Sequence, residues 1–81
     1  MIDSSEFVAR LTEIFREELD KDDLDITMQT IQSDIEDWDS LAHVRIVMGI
    51  ERAYNIQLDV AEIEKINSVR GFYEAVTRHE A

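Results

Sequence analysis

The residues with the most distinctive chemistry lie near the middle of the chain, where Asp39, Ser40 and Leu41 follow a segment rich in acidic residues. Apolar residues with helical spacing resume there, which predicts that the triplet opens a helix. Asp39 can then cap this helix, and Ser40 lies in its first turn beside unpaired backbone N–H groups. Such a place stabilises an anionic group attached to the hydroxyl. Capping alone would also account for these residue types without any function.

Other residues that could bind a metal ion are poorly spaced. A calcium-loop frame that starts at Asp20 has Asp25 where the motif needs glycine and Ile31 where it needs a bidentate glutamate. His43 and His79 fall on different predicted helices and form no His-Glu-x-x-His motif. We therefore predict no metal site, with His43 at the edge of the core and His79 as a terminal cap.

The sequence also contains no recognisable catalytic motif. The chain has no cysteine, and no Gly-x-Ser-x-Gly elbow exposes a serine nucleophile. Gly49 and Gly71 belong to no phosphate-binding loop and are expected inside helices, where they allow close packing. We predict no catalytic residues and a protein that is not an enzyme.

The elements that must position Ser40 are helices. Hydrophobic spacing and capping residues predict helices over residues 4–20, 40–54 and 60–66, and a last one that begins after Asn67 or Ser68. The predicted fold is all-α, a small four-helix bundle with three longer helices and one short helix. A long loop over residues 21–38 separates the first two helices. Its apolar residues are expected to hold it against the bundle: Leu24, Ile26, Met28, Ile31, Ile35 and Trp38.

The second helix has two apolar faces. At 100° per residue, Ile46, Ile50 and Tyr54 share one face, which we expect to be core. Leu41, Val44 and Met48 form a neighbouring stripe, for which core packing and contact with a partner both remain open.

Size and charge restrict the class of protein. The 81 residues form at most one small domain, predicted to span residues 1–81, and their 44% hydrophobic content is enough for a folded core. Eight basic against 19 acidic residues give a net charge of −11, which argues against nucleic acid and anionic membranes as partners. Without cysteine, a signal sequence or a long apolar run, we expect a cytoplasmic monomer with no membrane insertion.

The segment from Asp39 to Glu51, Asp-Ser-Leu-Ala-His-Val-Arg-Ile-Val-Met-Gly-Ile-Glu, resembles the modification site and second helix of acyl carrier proteins and related peptidyl carrier domains. Together with the long first loop, the short third helix and the acidity, the resemblance extends over essentially the whole chain. It implies that a phosphopantetheinyl transferase moves 4′-phosphopantetheine from coenzyme A to Ser40, so that acyl groups are carried as thioesters on the arm. Asp39 would also contribute to recognition by that enzyme, and Leu41 would lie close to the arm.

The resemblance further implies partner enzymes and a surface that binds them. An acyl-loading ligase or acyltransferase would charge the carrier, and a downstream synthase or transferase would use it. The residues implied in partner binding lie on the second helix: Val44, Arg45, Met48, Glu51 and Arg52. His43 would border the space between helices, where a polar wall favours short or polar cargo.

The charge of the second helix departs from the pattern of fatty-acid-synthesis carriers. Ala42, Arg45 and Arg52 stand where acidic residues are typical, which leaves Asp39 and Glu51 as negative contacts. Arginines facing a basic partner would exclude it, so we predict a specialised polyketide, nonribosomal peptide, lipid or sugar-modification pathway. The alternative is an acidic helical adaptor that binds a basic partner without modification of Ser40.

Overall fold

Four α-helices account for most of residues 2–80, the part of the chain that the computed structural model describes. They are α1 (Ser4–Leu19), α2 (Ser40–Tyr54), α3 (Val60–Lys65) and α4 (Val69–Glu80). A single 3₁₀ turn, Gln32–Asp34, interrupts the loop between α1 and α2. The described residues contain no β-structure beyond one isolated bridge, between Ile31 and Ser68. The predicted all-α fold with three longer helices and one short helix is confirmed.

Each helix begins at a side-chain cap. The carboxylates of Asp3, Asp39 and Asp59 accept backbone N–H groups of the first turns of α1, α2 and α3, and the Ser68 hydroxyl accepts the Gly71 N–H at 2.9 Å. Such caps satisfy amides that have no partner inside the helix. These helix starts were predicted correctly, because Asp and Ser side chains hydrogen-bond readily to backbone N–H groups a few residues later and are therefore favoured at N-caps.

Left-handed residues end the two longest helices. Asp20 and Asn55 have φ values of 55° and 54°, the conformation that turns a chain away from a helix axis. The predicted end of the first helix at residue 20 is therefore one residue too late. Asn55 ends α2 as predicted, while Ile66 falls just outside α3 as its C-terminal cap.

The core lies between the four helices. Ile46 and Ile50 on α2 are completely buried, as predicted, while Tyr54 on the same face is half-buried. A methyl group on Gly49 would come within 2.9 Å of Ile14 Cγ2, so this glycine allows α1 to approach α2 closely. The completely buried large side chains come from α1, α2 and α4: Phe7, Phe15, Phe72, Leu11, Ile46, Ile50, Val69 and Val76.

The loop between α1 and α2 is held at several points, although not by every apolar residue predicted to do so. Ile26 and Trp38 are buried, whereas the Ile31 side chain is 46% exposed. Ile31 was expected to pack inward, but the backbone anchors this part of the loop instead. Gln32 N–H donates to the Asn67 carbonyl at 2.8 Å, and Val69 N–H donates to the Thr30 carbonyl at 3.0 Å.

A salt bridge joins the two ends of the same loop. Lys21 Nζ lies 2.9 Å from Asp37 Oδ2, and this hydrogen bond raises the pKa of Lys21 above its ordinary value. Closing the loop in this way brings residue 37 back to the end of α1. The loop therefore delivers Trp38 and Asp39 to a fixed place at the start of α2.

No helix within residues 2–80 combines the length and apolar character needed to cross a bilayer.

Candidate functional site

Ser40 is the first residue of α2, and its side chain is exposed. The preceding Asp39 is extended, and its Oδ1 accepts the Ala42 N–H at 2.9 Å. The Asp39 carbonyl accepts the His43 N–H at 2.8 Å, which is the first turn of the helix. Asp39 therefore fixes the backbone on which the Ser40 hydroxyl is presented, as the sequence predicted for a cap.

The amides next to the Ser40 hydroxyl are left for a ligand or water. Among the described residues no protein group accepts the N–H of Ser40 or of Leu41. Both amides lie at the positive end of the α2 dipole, which favours an anion there. An anionic ester on Ser40 would therefore be stabilised by the backbone, and its exposed position leaves room for a large substituent.

Directly beneath Ser40, a chain of hydrogen bonds joins the loop, α2 and α3. Trp38 Nε1 donates to His43 Nδ1 at 2.9 Å, and both side chains are buried. Because an indole nitrogen only donates, Nδ1 must be the acceptor, and the ring proton resides on Nε2. His43 Nε2 then donates to the Ile63 carbonyl, 3.0 Å away, in the last turn of α3. His43 is thus a buried histidine whose two ring nitrogens both have partners, and it lies beside the cleft between α2 and α3.

Aromatic rings surround this chain. The Trp38 ring meets Phe15 edge to face at a centroid distance of 4.9 Å and stacks on Phe72 at 5.9 Å. The His43 ring lies 5.4 Å from that of Phe72. These contacts fix the position of Trp38, which the sequence identified only as an anchor of the loop. Its hydrogen bond to His43 carried no recognisable sequence signal, because a Trp and a His five residues apart across a helix start are not a known pairing.

The outer face of α2 exposes apolar side chains beyond Ser40. Leu41 is 62% exposed, Val44 50% and Met48 49%, which argues against core packing for this stripe, while its contact with a partner stays a prediction. These three side chains are not core residues. Large apolar groups gathered on one face are typical of a contact surface. We call Leu41, Val44, Met48, Arg45 and Arg52 together the α2 outer face.

The two arginines of the α2 outer face are exposed and pair with no acidic group among the described residues. Within residues 2–80, three other Lys and Arg side chains do pair: Arg16 with Asp25, Lys21 with Asp37 and Arg78 with Glu62.

Glu51, predicted as a further partner contact, has a structural role. It is half-buried, and its Oε2 accepts the Leu58 N–H at 2.8 Å, holding the link between α2 and α3. One of its oxygens is therefore already used within the protein, and its contact with a partner stays a prediction.

A cleft of about 300 Å³ opens between α2 and α3 beside the site. It is lined by Gln32 from the loop, by three residues of α2 and by three residues at or near the end of α3: Ser40, His43, Val44, Ile63, Glu64 and Ile66. Within residues 2–80 no group of three acidic, histidine or cysteine side chains is placed to hold a metal ion. The site is thus a serine on a helix start, a small cleft and an apolar face with two cations.

The chain is similar to known proteins. The model of a family described as phosphopantetheine attachment site matches residues 9–76. A holo acyl carrier protein from Geobacter metallireducens, solved by solution NMR, has 31% sequence identity and a TM-score of 0.80. The similarity covers 91% of this chain and 85% of that chain.

Proposed function

The chain belongs to the phosphopantetheine attachment site family, and from this premise we propose that Ser40 is the residue that bears the group. A protein of this family is a non-catalytic carrier whose cofactor is covalent 4′-phosphopantetheine. When bound, the arm supplies a terminal thiol on which acyl groups are carried as thioesters. The polypeptide itself needs only to hold and present the arm.

The observation that supports Ser40 most directly is its exposed hydroxyl beside two unpaired amides. Residues 9–76 contain only two other serines, Ser33 and Ser68. The Ser68 hydroxyl is engaged as the cap of α4, where it accepts the Gly71 N–H. Ser33 is exposed but lies in the 3₁₀ turn of the loop rather than at the start of a longer helix. Ser40 alone among the three combines exposure with the positive end of a full helix.

Intact-mass spectrometry tests this assignment. The unmodified protein is incubated with coenzyme A and a phosphopantetheinyl transferase of broad specificity. We expect the mass gain of one phosphopantetheine in the wild type and in Ser33→Ala, and none in Ser40→Ala. A wild type that stays unmodified, or a Ser40→Ala variant that is still modified, would overturn the proposal.

Carriers of this family work with phosphopantetheinyl transferases and synthase enzymes, and we place this one in a specialised pathway rather than in general fatty-acid synthesis. The support comes from the α2 outer face, where Arg45 and Arg52 flank Met48 and have no ion partner within the described residues. A basic docking surface would meet like charge there, and like charges across an interface exclude a partner. An acyl-loading ligase or acyltransferase and a downstream synthase with acidic groups at these positions would fit. The candidate pathways are polyketide, nonribosomal peptide, lipid and sugar-modification biosynthesis, among which the sequence does not choose.

Charge reversal tests the role of the two arginines. With Arg45→Glu and Arg52→Glu together, we expect a fatty-acid-synthesis acyltransferase to load the holo protein with a kcat/KM several-fold higher than for the wild type. The matched control is Lys65→Glu with Arg70→Glu, which changes the net charge equally at two exposed positions away from α2. Equal gains in both double variants would show that net charge alone acts and would remove the argument for a dedicated partner surface.

A further inference from the structure

We infer that this carrier serves short acyl groups that stay at the surface of the bundle, because the gap between α2 and α3 beneath Ser40 is locked through His43. The inference rests on the proposed attachment at Ser40. It names the class of cargo, which neither the family nor the similar structure specifies for this chain. It depends on three features of the described residues: the cleft beside Ser40, the hydrogen bonds at its base and the side chains behind them.

The cleft is small and has a mixed lining. Its apolar walls are Val44 from α2 and Ile63 from α3, while Gln32 and Glu64 are polar residues in its lining. Its volume of about 300 Å³ is at the lower end for small-molecule sites. Ser40 itself lines the cleft, so a group tethered there reaches it without entering the bundle. A few carbon atoms beside Val44 and Ile63 fill the apolar part.

The base of the cleft is closed by hydrogen bonds rather than by apolar contact alone. Both ring nitrogens of His43 are used, one accepting from Trp38 and the other donating to the Ile63 carbonyl. That carbonyl is in the last turn of α3 and also accepts the Ile66 N–H at 3.3 Å, so the bond from His43 is its second. If that bond broke, the atom left without a partner would be His43 Nε2. His43 therefore ties α3 to α2 at the point through which a chain would have to pass.

A long methylene chain cannot replace these bonds. To enter, it would separate His43 from Ile63 or from Trp38 and leave the freed polar atoms in an apolar interior. Buried groups without a partner are costly, and a hydrocarbon offers neither a donor nor an acceptor. In the described residues every buried side-chain nitrogen and oxygen has a hydrogen-bond partner, so the closed state has no such defect.

The space behind His43 is filled. Trp38 and Phe72 stack on each other there, and Phe15 packs edge-on against the indole. Phe15 and Phe72 are completely buried, and Trp38 is 2% exposed. A chain that passed His43 would have to displace these rings, because well-packed interiors do not yield without moving side chains. The hydrogen-bonded base of the cleft and the filled interior behind it together confine the cargo to the open cleft.

The absence of cysteine allows a test that uses no modifying enzyme. Ser40→Cys places one thiol in the chain, which is alkylated with N-ethyl or N-octyl iodoacetamide. We expect the Trp38 indole N–H signal in ¹H–¹⁵N spectra to have the same position with both chain lengths, while the amides of Val44 and Ile63 shift. An indole signal, or a Phe72 amide, that moves with octyl but not with ethyl would overturn the inference.

A variant of His43 tests whether this residue closes the gap. In Ser40→Cys with His43→Ala we expect the octyl chain to shift the Trp38 indole signal. His43→Leu, which fills the space without hydrogen bonds, replaces the alanine variant if the latter does not fold. An unmoved indole signal in the folded variant would overturn the role given to His43. Failure of enzymatic modification at Ser40 would overturn the proposed function and the cargo assignment with it. The alkylation result would still report whether the gap is closed, because alkylation does not depend on the enzyme.

Discussion

A single substitution at Asp39 would mix an observed role, capping, with a proposed one, recognition. Its carboxylate caps α2 through the Ala42 N–H, and the family resemblance implies that its charge is also read by the modifying enzyme. Asp59 makes the equivalent cap on α3, where its Oδ1 accepts the Glu62 N–H at 2.8 Å. The two aspartates therefore form a natural pair in which one cap is next to Ser40 and the other is on a different helix.

Alanine and asparagine variants at both positions separate capping from recognition. Asp39→Ala and Asp59→Ala should each lower the free energy of unfolding by about 1 kcal/mol, since each removes an N-cap. Asp39→Asn should keep stability close to that of the wild type, because asparagine also caps helices well. Urea unfolding gives the stabilities, and transferase kinetics give the modification rates. We expect both Asp39 variants, and neither Asp59 variant, to slow modification at Ser40.

The same residues show how far local sequence information reaches. The caps at Asp39 and Asp59 were predictable because a cap involves residues three apart in the sequence. The bond between His43 and the Ile63 carbonyl joins residues twenty apart, and no local pattern marks it. His79 gives a similar case: it lies in the last turn of α4, as expected for a terminal cap, and its Nε2 is also 3.1 Å from Glu62 Oε2 of α3, a contact that the spacing did not predict. Hydrogen-bond partners that tertiary packing brings together cannot be predicted from the spacing of residues along the sequence.

At the scale of the elements, the contact of α1 with α2 depends on Gly49. A Cβ atom there would come within 2.9 Å of Ile14 Cγ2, a methyl on the β-carbon that cannot rotate away independently of the rest of the side chain. Gly49→Ala should lower stability by about 1 to 2 kcal/mol, because overpacking outweighs the roughly 1 kcal/mol that alanine gains in a helix. Thermal or urea unfolding measures the change.

A second substitution identifies the clash as the cause. Leucine has no methyl on its β-carbon, so Ile14→Leu should reduce the cost of Gly49→Ala when the two are combined. The matched reference is Ile14→Leu alone, which completes a double-mutant cycle. If Gly49→Ala costs the same in both backgrounds, the close approach of Ile14 is not its cause.

Glu62 links the short helix α3 to α4. Glu62 Oε2 accepts the Asp59 N–H at 3.3 Å, and the carboxylate also contacts His79 and Arg78. The hydrogen bond with His79, followed by that from the Asp59 backbone, holds the pKa of Glu62 below its ordinary value of 4.5. A carboxyl with a lowered folded pKa stabilises the protein above its ordinary pKa and loses this effect as the pH falls through the folded value.

The lowered pKa of Glu62 determines how the stability of Glu62→Gln should depend on pH. The variant should be less stable than the wild type at neutral pH, and the difference should shrink as the pH is lowered from 4.5 toward more acidic values. Glutamine can still accept the Asp59 N–H, so the helix start is kept while the charge facing His79 and Arg78 is lost. Urea unfolding at several pH values measures this, with Glu64→Gln on the same helix as the control. A constant difference at all pH values would contradict it.

The loop between α1 and α2 was predicted as a whole, but its internal structure was not. The length of the loop and its anchoring by Trp38 were predicted from the sequence, because a large apolar side chain in an otherwise polar segment is expected to be buried. The Trp38 side chain is indeed 2% exposed. The 3₁₀ turn and the bridge from Ile31 to Ser68 were not predicted, since both depend on backbone contacts with the segment before α4. The place of Ser40 in the first turn of α2 was predictable because apolar residues with helical spacing resume directly after it. Its role as the attachment residue stays a prediction.

At the scale of the whole molecule, the charge is strongly unbalanced. A net charge of −11 is spread over a molecule of 32 × 26 × 21 Å. The Debye length is about 30 Å at 0.01 M ionic strength and about 10 Å at 0.1 M. At low salt the acidic groups therefore repel one another across the entire protein, whereas at 0.1 M only near neighbours interact. Exposed ion pairs, which salt also weakens, contribute at most about 1 kcal/mol each.

Repulsion should outweigh the ion pairs, so added salt should stabilise this protein. We expect the Tm to rise by about 5 °C between 0.01 M and 0.15 M sodium chloride, which corresponds to roughly 1 kcal/mol for a domain of this size. Differential scanning calorimetry measures it, with chloride chosen because sulfate would also strengthen apolar burial. Glu13→Gln with Glu17→Gln removes two exposed like charges one turn apart and should raise the Tm at low salt while reducing its salt dependence. A Tm that falls with sodium chloride would mean that the ion pairs at Arg16, Lys21 and Arg78 outweigh the repulsion.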